Sequence, residues 1–147
     1  LVFALKSGGT NIAEADALSH IYGCAAGLDM TRRDLQNKAK ENRKPWDTAK
    51  DVDESAVITP LRQMSEVPSV TSGRIHLSQN GTVKQDADLS EMVWSVPEII
   101  ADLSTMYTLQ QGDVIYMGTP AGVGAVSRDD VLAGGVEGIG DFEVKIV

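Results

Sequence analysis

A single cysteine, Cys24, stands in 147 residues. No disulfide can close within the chain, so the domain must be held together by its core, and the lone thiol suits a reducing, cytoplasmic setting. Cys24 lies among small apolar residues with no histidine close in sequence. It reads as a packing residue, not a nucleophile. Histidine is almost as scarce. His20 and His76 are the only two, and neither has a second ligand at H-x-H or H-x-x-x-H spacing. Both read as structural, and no Ser-His-Asp arrangement can be assembled from them. Positive charge is also short. Lys and Arg number 13 against 21 Asp and Glu, for a net charge of −8, and the pI is about 4.6. That balance gives no electrostatic reason to bind nucleic acid. No apolar run approaches the length of a membrane span. "LVFAL" at residues 1–5 is too short for a signal-peptide core and lacks a basic segment before it. No internal repeat or low-complexity tract is present.

What is present is ordinary for one soluble domain: 42% apolar and 23% charged residues over 1–147. "LVFALKSGG" reads as a strand already under way, ending in a glycine turn, and residues preceding Leu1 are expected. "AEADALSHI" at 13–21 has helical character, with Asn11 as its expected cap. "YGCAAGLDM" reads as a tightly packed buried strand. Thr31 and Asp34 form a T-x-x-D pattern that predicts a capped helix over "RRDLQNKAKENR", stopped by Pro45. "AVITPL" is a further strand.

In "RIHLSQNGTVKQD", Asn80-Gly81 predicts a type I′ hairpin turn, with Ile75, Leu77, Val83 and Gln85 alternating with partners on the other face, as in a half-buried hairpin. Ser95 and Glu98 form a capping box with Pro97 in the first turn, which predicts a helix to about Tyr107. "GDVIYMG" and "GDFEVKIV" read as strands. Strands and helices do not alternate regularly, so the fold class is α+β, rich in β-structure, and not a doubly wound parallel sheet.

Four features bear on chemistry. "GTPAGVG" at 118–124 is either a plain turn or a place where backbone N–H groups and the Thr119 hydroxyl receive an anionic oxygen. It lacks the G-K-[ST] ending of a P-loop and the spacing of a dinucleotide fingerprint. Lys50 is either a surface cation or a lysine that polarises a carbonyl. The basic run Arg32, Arg33, Lys38, Lys40, Arg43 and Lys44 reads mostly as a solvated helix face. Asp34 has a structural reason to stand near a helix start. Asp29 has none: it ends an apolar strand ahead of the helix, where a carboxylate suits Mg²⁺ or Ca²⁺ if other oxygens join it.

The blocks "YGCAAGLDMTRRDLQ", "RKPWDTAK", "LSQNGTVKQD", "MVWSVPEIIADLS" and "GDVIYMGTPAGVG" resemble, in order and spacing, the fumarylacetoacetate hydrolase family. The resemblance covers nearly the whole chain and is closest to small acylpyruvase and fumarylpyruvate hydrolase-like members. It implies a mixed β-sandwich or roll with a few short helices, usually dimeric. The implied reaction is metal-assisted hydrolysis of a C–C bond in a β-diketo or oxo acid, as in aromatic-compound catabolism. It implies Mg²⁺ (or Mn²⁺ or Ca²⁺) as cofactor. Asp29 matches the family's metal-binding aspartate in G-x-D-x-[ST]-x-R-D. Lys50 matches the lysine that neutralises substrate or enolate charge. Thr119 matches the threonine that contacts the substrate carboxylate, and Arg33 and Gln36 match substrate-side contacts.

The family's other two metal ligands come from a Glu-x-Glu motif just before a strand like "LVFAL", and its water-activating histidine and glutamate lie further upstream. The domain 1–147 is therefore expected to be incomplete at its N-terminal edge, with weak metal binding and little turnover on its own. Two other readings follow. One is a family member that decarboxylates oxaloacetate or isomerises a hydroxy-diene-dioate. The other is a remnant that folds and dimerises without chemistry.

Overall fold

A computed structural model describes residues 1–147. In chain order the elements are β1 (Val2–Leu5), α1 (Glu14–Ala17), β2 (Ile21–Ala25), β3 (Gly27–Asp29), α2 (Arg33–Glu41), α3 (Asp47–Lys50), β4 (Ala56–Ile58), β5 (Arg62–Gln63), β6 (Arg74–Gln79), β7 (Thr82–Asp88), α4 (Val96–Met106), β8 (Val114–Tyr116), β9 (Val131–Val136) and β10 (Gly140–Lys145). The strands form two four-stranded sheets, ordered β5-β2-β1-β8 and β10-β9-β6-β7, and a two-stranded ladder, β3-β4. All pairings are antiparallel. The expected β-rich α+β class, with few and short helices, is what the chain adopts.

The first strand explains why "LVFAL" does not alternate. Phe3 pairs with Cys24 and Ile115, and all three enter the main core. Val2 points to the other face, paired with Ala25 and Tyr116, yet is also fully buried. A strand covered on both faces needs an uninterrupted apolar run. Cys24 is a buried free thiol, and burial pushes its pKa up, in keeping with a packing role. The core continues through Ile12, Val136 and Ile139 to Val96 and Ile100 on the inward stripe of α4. Ser104, nearly inaccessible on the same helix, accepts from the Ile12 N–H at 2.8 Å and donates to the Ala101 carbonyl at 2.8 Å. Its hydroxyl is thereby satisfied in an apolar setting.

Several local expectations hold. Asn80 and Gly81 have φ of 51° and 78°, the left-handed pair that a type I′ turn requires. Ser95 accepts from the Glu98 N–H, and the Glu98 carboxylate accepts from the Ser95 N–H at 2.7 Å, closing the capping box.

Others need correcting. Helix α2 begins at Arg33 behind Arg32, with no side-chain cap; Thr31 turns back to the Asp29 carbonyl instead. Asp34 still lies in the first turn, where its charge favours the helix's positive end. Helix α1 is capped from Ala13, not Asn11, and gives way to a 3-10 turn at Leu18–His20. The run at 22–30 splits into β2 and β3, which belong to different sheets. A register shift between Leu77 and Ser78 breaks the hairpin's alternation. Val83 is 58% exposed as a result, while Gln85 stays buried.

The long return from β8 to β9 is tied down by Asp130. Its carboxylate accepts from the Ser127 N–H, Gln79 Nε2 and Asn80 Nδ2 at 2.7, 2.6 and 2.7 Å. These bonds, led by the Ser127 N–H, hold its pKa below the usual carboxylate range. A depressed folded-state pKa means stabilisation that is complete above the unfolded value and lost as pH falls through the folded one. Unfolding titrations of Asp130→Asn should show less stability than the unaltered protein at neutral pH and a shallower decline below about pH 4. Loss of the Ser95 cap in Ser95→Ala should cost about 1 kcal/mol in urea denaturation, and Ile100→Ala about 3 kcal/mol.

Candidate active site

Strand β3 ends on Asp29, opposite Ala56 of β4. Lys50 is the last residue of α3. Its Nζ donates to Asp29 Oδ2 at 2.6 Å. The meeting is enforced by the main chain: the Met30 N–H donates to the Ser55 carbonyl at 2.8 Å, and the Arg32 N–H to the Ala49 carbonyl at 3.0 Å. Ala49 is fully buried beneath them. The ion pair itself faces solvent, with the Lys50 and Asp29 side chains 34% and 51% exposed. An exposed pair of this kind contributes no more than about 1 kcal/mol to stability. Stability therefore gives little reason to hold these two charges together.

Two further expected residues meet on α2. Arg33 Nη1 donates to Gln36 Oε1 at 2.6 Å. Gln36 is only 3% exposed, so it holds the Arg33 guanidinium in place and offers little surface of its own. Thr119 follows the end of β8, and its Oγ1 accepts from Gln85 Nε2 at 2.9 Å. Tyr116, the last residue of β8, donates its phenol to the Val57 carbonyl at 3.0 Å and so ties β8 to the β3-β4 ladder. Burial pushes the Tyr116 phenol up, and the neighbouring Asp29 charge adds to that. The strand that delivers Thr119 thus passes beside Asp29. Tyr116 and Gln85 were missing from the sequence-derived site. A glutamine on the apolar face of a hairpin was the available signal for Gln85, because a buried amide needs partners. "VIY" carried no such signal for Tyr116.

No three His, Cys, Asp or Glu side chains converge on a common point in the chain. Asp29 fits one position of a divalent-cation site. Mg²⁺ is held by one or two carboxylates together with water and substrate oxygens, and Ca²⁺ takes about six to eight oxygens, so Asp29 supplies one donor of a larger set. A surface cleft of about 420 Å³ between Thr59–Arg62 and Val136–Asp141 does not include these residues.

The fumarylacetoacetate (FAA) hydrolase C-terminal family profile matches residues 1–147. The chain belongs to the fumarylacetoacetate hydrolase family. It is 49% identical to the fumarylpyruvate hydrolase of Ralstonia sp over 146 residues, which cover 99% of this chain and 76% of that protein. It is 36% identical to the mitochondrial oxaloacetate tautomerase FAHD1 of Rattus norvegicus, over 94% of this chain and 62% of that one. The crystal structure of fumarylpyruvate hydrolase from Pseudomonas aeruginosa in complex with Mn²⁺ and pyruvate superposes with a TM-score of 0.96 at 40% identity. It covers 99% of this chain and 63% of that one. The chain thus spans less than two thirds of these last two proteins. In this family frame, the G-x-D-x-[ST]-x-R-D segment lies on β3 and the first turn of α2, and the G-T-P turn follows β8 directly.

Because the Asp29–Lys50 pair is exposed, Asp29→Asn should shift the urea midpoint by an amount equivalent to less than about 1 kcal/mol. Calorimetry on residues 1–147 should detect no micromolar Mg²⁺ site; finding one would show that the donor set is larger than Asp29.

Proposed function

We propose that this protein is a divalent-metal-dependent hydrolase that cleaves a C–C bond in acylpyruvate-type oxo acids such as fumarylpyruvate. The observation that carries the reading is the Asp29–Lys50 pair at 2.6 Å, an exposed charge pair without structural need, in a chain 49% identical to a fumarylpyruvate hydrolase. The reaction adds water to the distal carbonyl and breaks the bond to the neighbouring carbon. The bond's electron pair passes to the oxo-acid fragment as an enolate. A proton then returns to that carbon, leaving a carboxylate and pyruvate. A bound Mg²⁺ or Mn²⁺, held by Asp29 and by oxygens from outside 1–147, would supply Lewis-acid charge to the oxo acid.

This chain's own residues have separate tasks in the proposal. Lys50 places an ammonium where enolate charge develops, the term that most lowers such a barrier. Thr119 donates to the substrate carboxylate. Arg33, braced by Gln36, adds a fixed positive group on the same anion.

A second reading has support from the 36% identity to an oxaloacetate tautomerase: enolate stabilisation without C–C hydrolysis, as in a tautomerase, decarboxylase or isomerase. A homodimer is also part of the proposal, as the family resemblance implies; sedimentation tests it. Location in the cytoplasm is proposed from the lone free thiol.

In the natural polypeptide supplied with Mn²⁺, Asp29→Ala should abolish release of pyruvate from an acylpyruvate, and Lys50→Met should lower kcat at least a hundredfold. Full activity in Asp29→Ala would remove it from the metal site. Turnover of oxaloacetate tautomers with no acylpyruvate cleavage would favour the second reading.

A further inference from the structure

We propose that Gln85 is a positioning residue that fixes the Thr119 hydroxyl as a hydrogen-bond donor toward the substrate carboxylate. The inference deepens the proposed function and rests on its reading of Thr119 as the carboxylate contact. Gln85 lies on β7, opposite Leu77 in the hairpin, and is 9% exposed. Its Nε2 is 2.9 Å from Thr119 Oγ1 and 2.9 Å from the Pro120 carbonyl oxygen. A main-chain carbonyl can only accept, so the Gln85 atom facing it must be the amide nitrogen. That settles the orientation of the amide. One N–H then goes to Pro120 and the other to the Thr119 hydroxyl, which is held as an acceptor from this side.

The hydroxyl's own proton is only weakly engaged. It donates to the Pro120 carbonyl at 3.5 Å, the long limit of a hydrogen bond, and that carbonyl already accepts from Gln85 Nε2 at 2.9 Å, so a carboxylate at ordinary distance would take the proton. The proton is therefore available to a ligand. A carboxylate is an acceptor-only group, so a hydroxyl locked as donor matches it, whereas a hydroxyl presenting lone pairs would repel it. The turn is also pressed hard onto β7. Gly122 has φ of 102°, and a Cβ there would lie 1.9 Å from the Lys84 carbonyl oxygen. Only glycine allows that approach, and the approach brings Pro120 and Thr119 within reach of the Gln85 amide.

The test is a double-mutant cycle in the natural polypeptide with Mn²⁺, read by pyruvate binding in calorimetry and by KM and kcat for an acylpyruvate. Gln85→Glu replaces the donor with an acceptor, so the Thr119 proton turns inward. Pyruvate Kd and acylpyruvate KM should rise about tenfold with kcat within about twofold, the pattern of lost uniform binding. Adding Gln85→Glu to Thr119→Val should change nothing further. Simple charge repulsion by the new carboxylate would persist in that background, and a full second loss there overturns the proposal. If Thr119→Val weakens pyruvate binding and Gln85→Glu does not, the Gln85 role alone falls. If Thr119→Val leaves binding unchanged, the carboxylate reading falls and the Gln85 role with it. Should Gln85→Glu fail to fold, Gln85→Met, uncharged and of similar length, carries the same cycle, with its effect on pyruvate Kd again required to vanish beside Thr119→Val.

Discussion

The candidate site is built around the contact between Lys50 and Asp29. The contact joins residues 21 positions apart, at the ends of a four-residue helix and a three-residue strand. Neither element would persist alone in water, where short helices and isolated strand pairs are marginal. They persist because the main chain is stitched around them. The Met30, Arg32 and Thr59 N–H groups donate to the Ser55, Ala49 and Ala26 carbonyls, and Ala26, Ala49 and Gln36 are buried underneath. The stability is in the stitching and the charge is on the surface. That separation lets the ammonium and carboxylate be chosen for chemistry without endangering the fold.

The second requirement is that the two large sheets be held in a fixed relation, because the G-T-P turn runs between their edges. Strand β8 is the edge of one sheet and β7 the edge of the other. The turn leaves β8 at Tyr116, is gripped by Gln85 on β7, and its continuation is held by Gln79 and Asp130 further along. Edge strands carry unpaired main-chain groups that invite association. Here the turn covers part of one such edge, pressing Gly122 against the Lys84 carbonyl. The device that protects the sheet also sets the position of the Thr119 hydroxyl.

How far the sequence revealed this depends on the range of the interactions involved. The Ser95–Glu98 box and the Asn80-Gly81 turn act within four residues, so their patterns were readable and correct. Strand β9, "VLAGGV", carries no readable pattern because two glycines interrupt its apolar run; Gly134 and Gly135 are explained only by the close neighbours on β6 and β10, where a Cβ would meet the His76 carbonyl or Asp141. The Thr31 cap failed for a comparable reason. The Arg32 N–H donates to the Ala49 carbonyl, a contact from another element, and Arg32 keeps a non-helical ψ of 86° ahead of the helix start at Arg33. The candidate site residues rest on a family resemblance whose blocks span the chain. Composition and spacing alone left Asp29, Lys50 and Thr119 each with a plain structural alternative. The fold brings Lys50 onto Asp29 and ties Thr119 to Gln85, but assigns neither pair a ligand.

The net charge sharpens the functional argument. A protein with a charge of −8 should repel a dianionic oxo acid at long range, so attraction must be local. Seven of the 13 Lys and Arg residues lie between Arg32 and Lys50, against three acids in the same stretch. Most belong to α2 and the turn that follows it, and Lys40 is held over the Trp46 ring at 4.8 Å. The rest of the surface is acidic. At physiological ionic strength, fields decay within about 8 Å, so the distant acids are screened, while an anion bound as proposed at Asp29 and Lys50 would feel the basic stretch beside it. On the proposed reading, the charges on α2 that look like an ordinary solvated face would also favour an anion at short range. Arg33, fixed by the buried Gln36 amide at 2.6 Å, joins Lys40 and Lys50 as members of that group whose positions are set by a partner other than solvent.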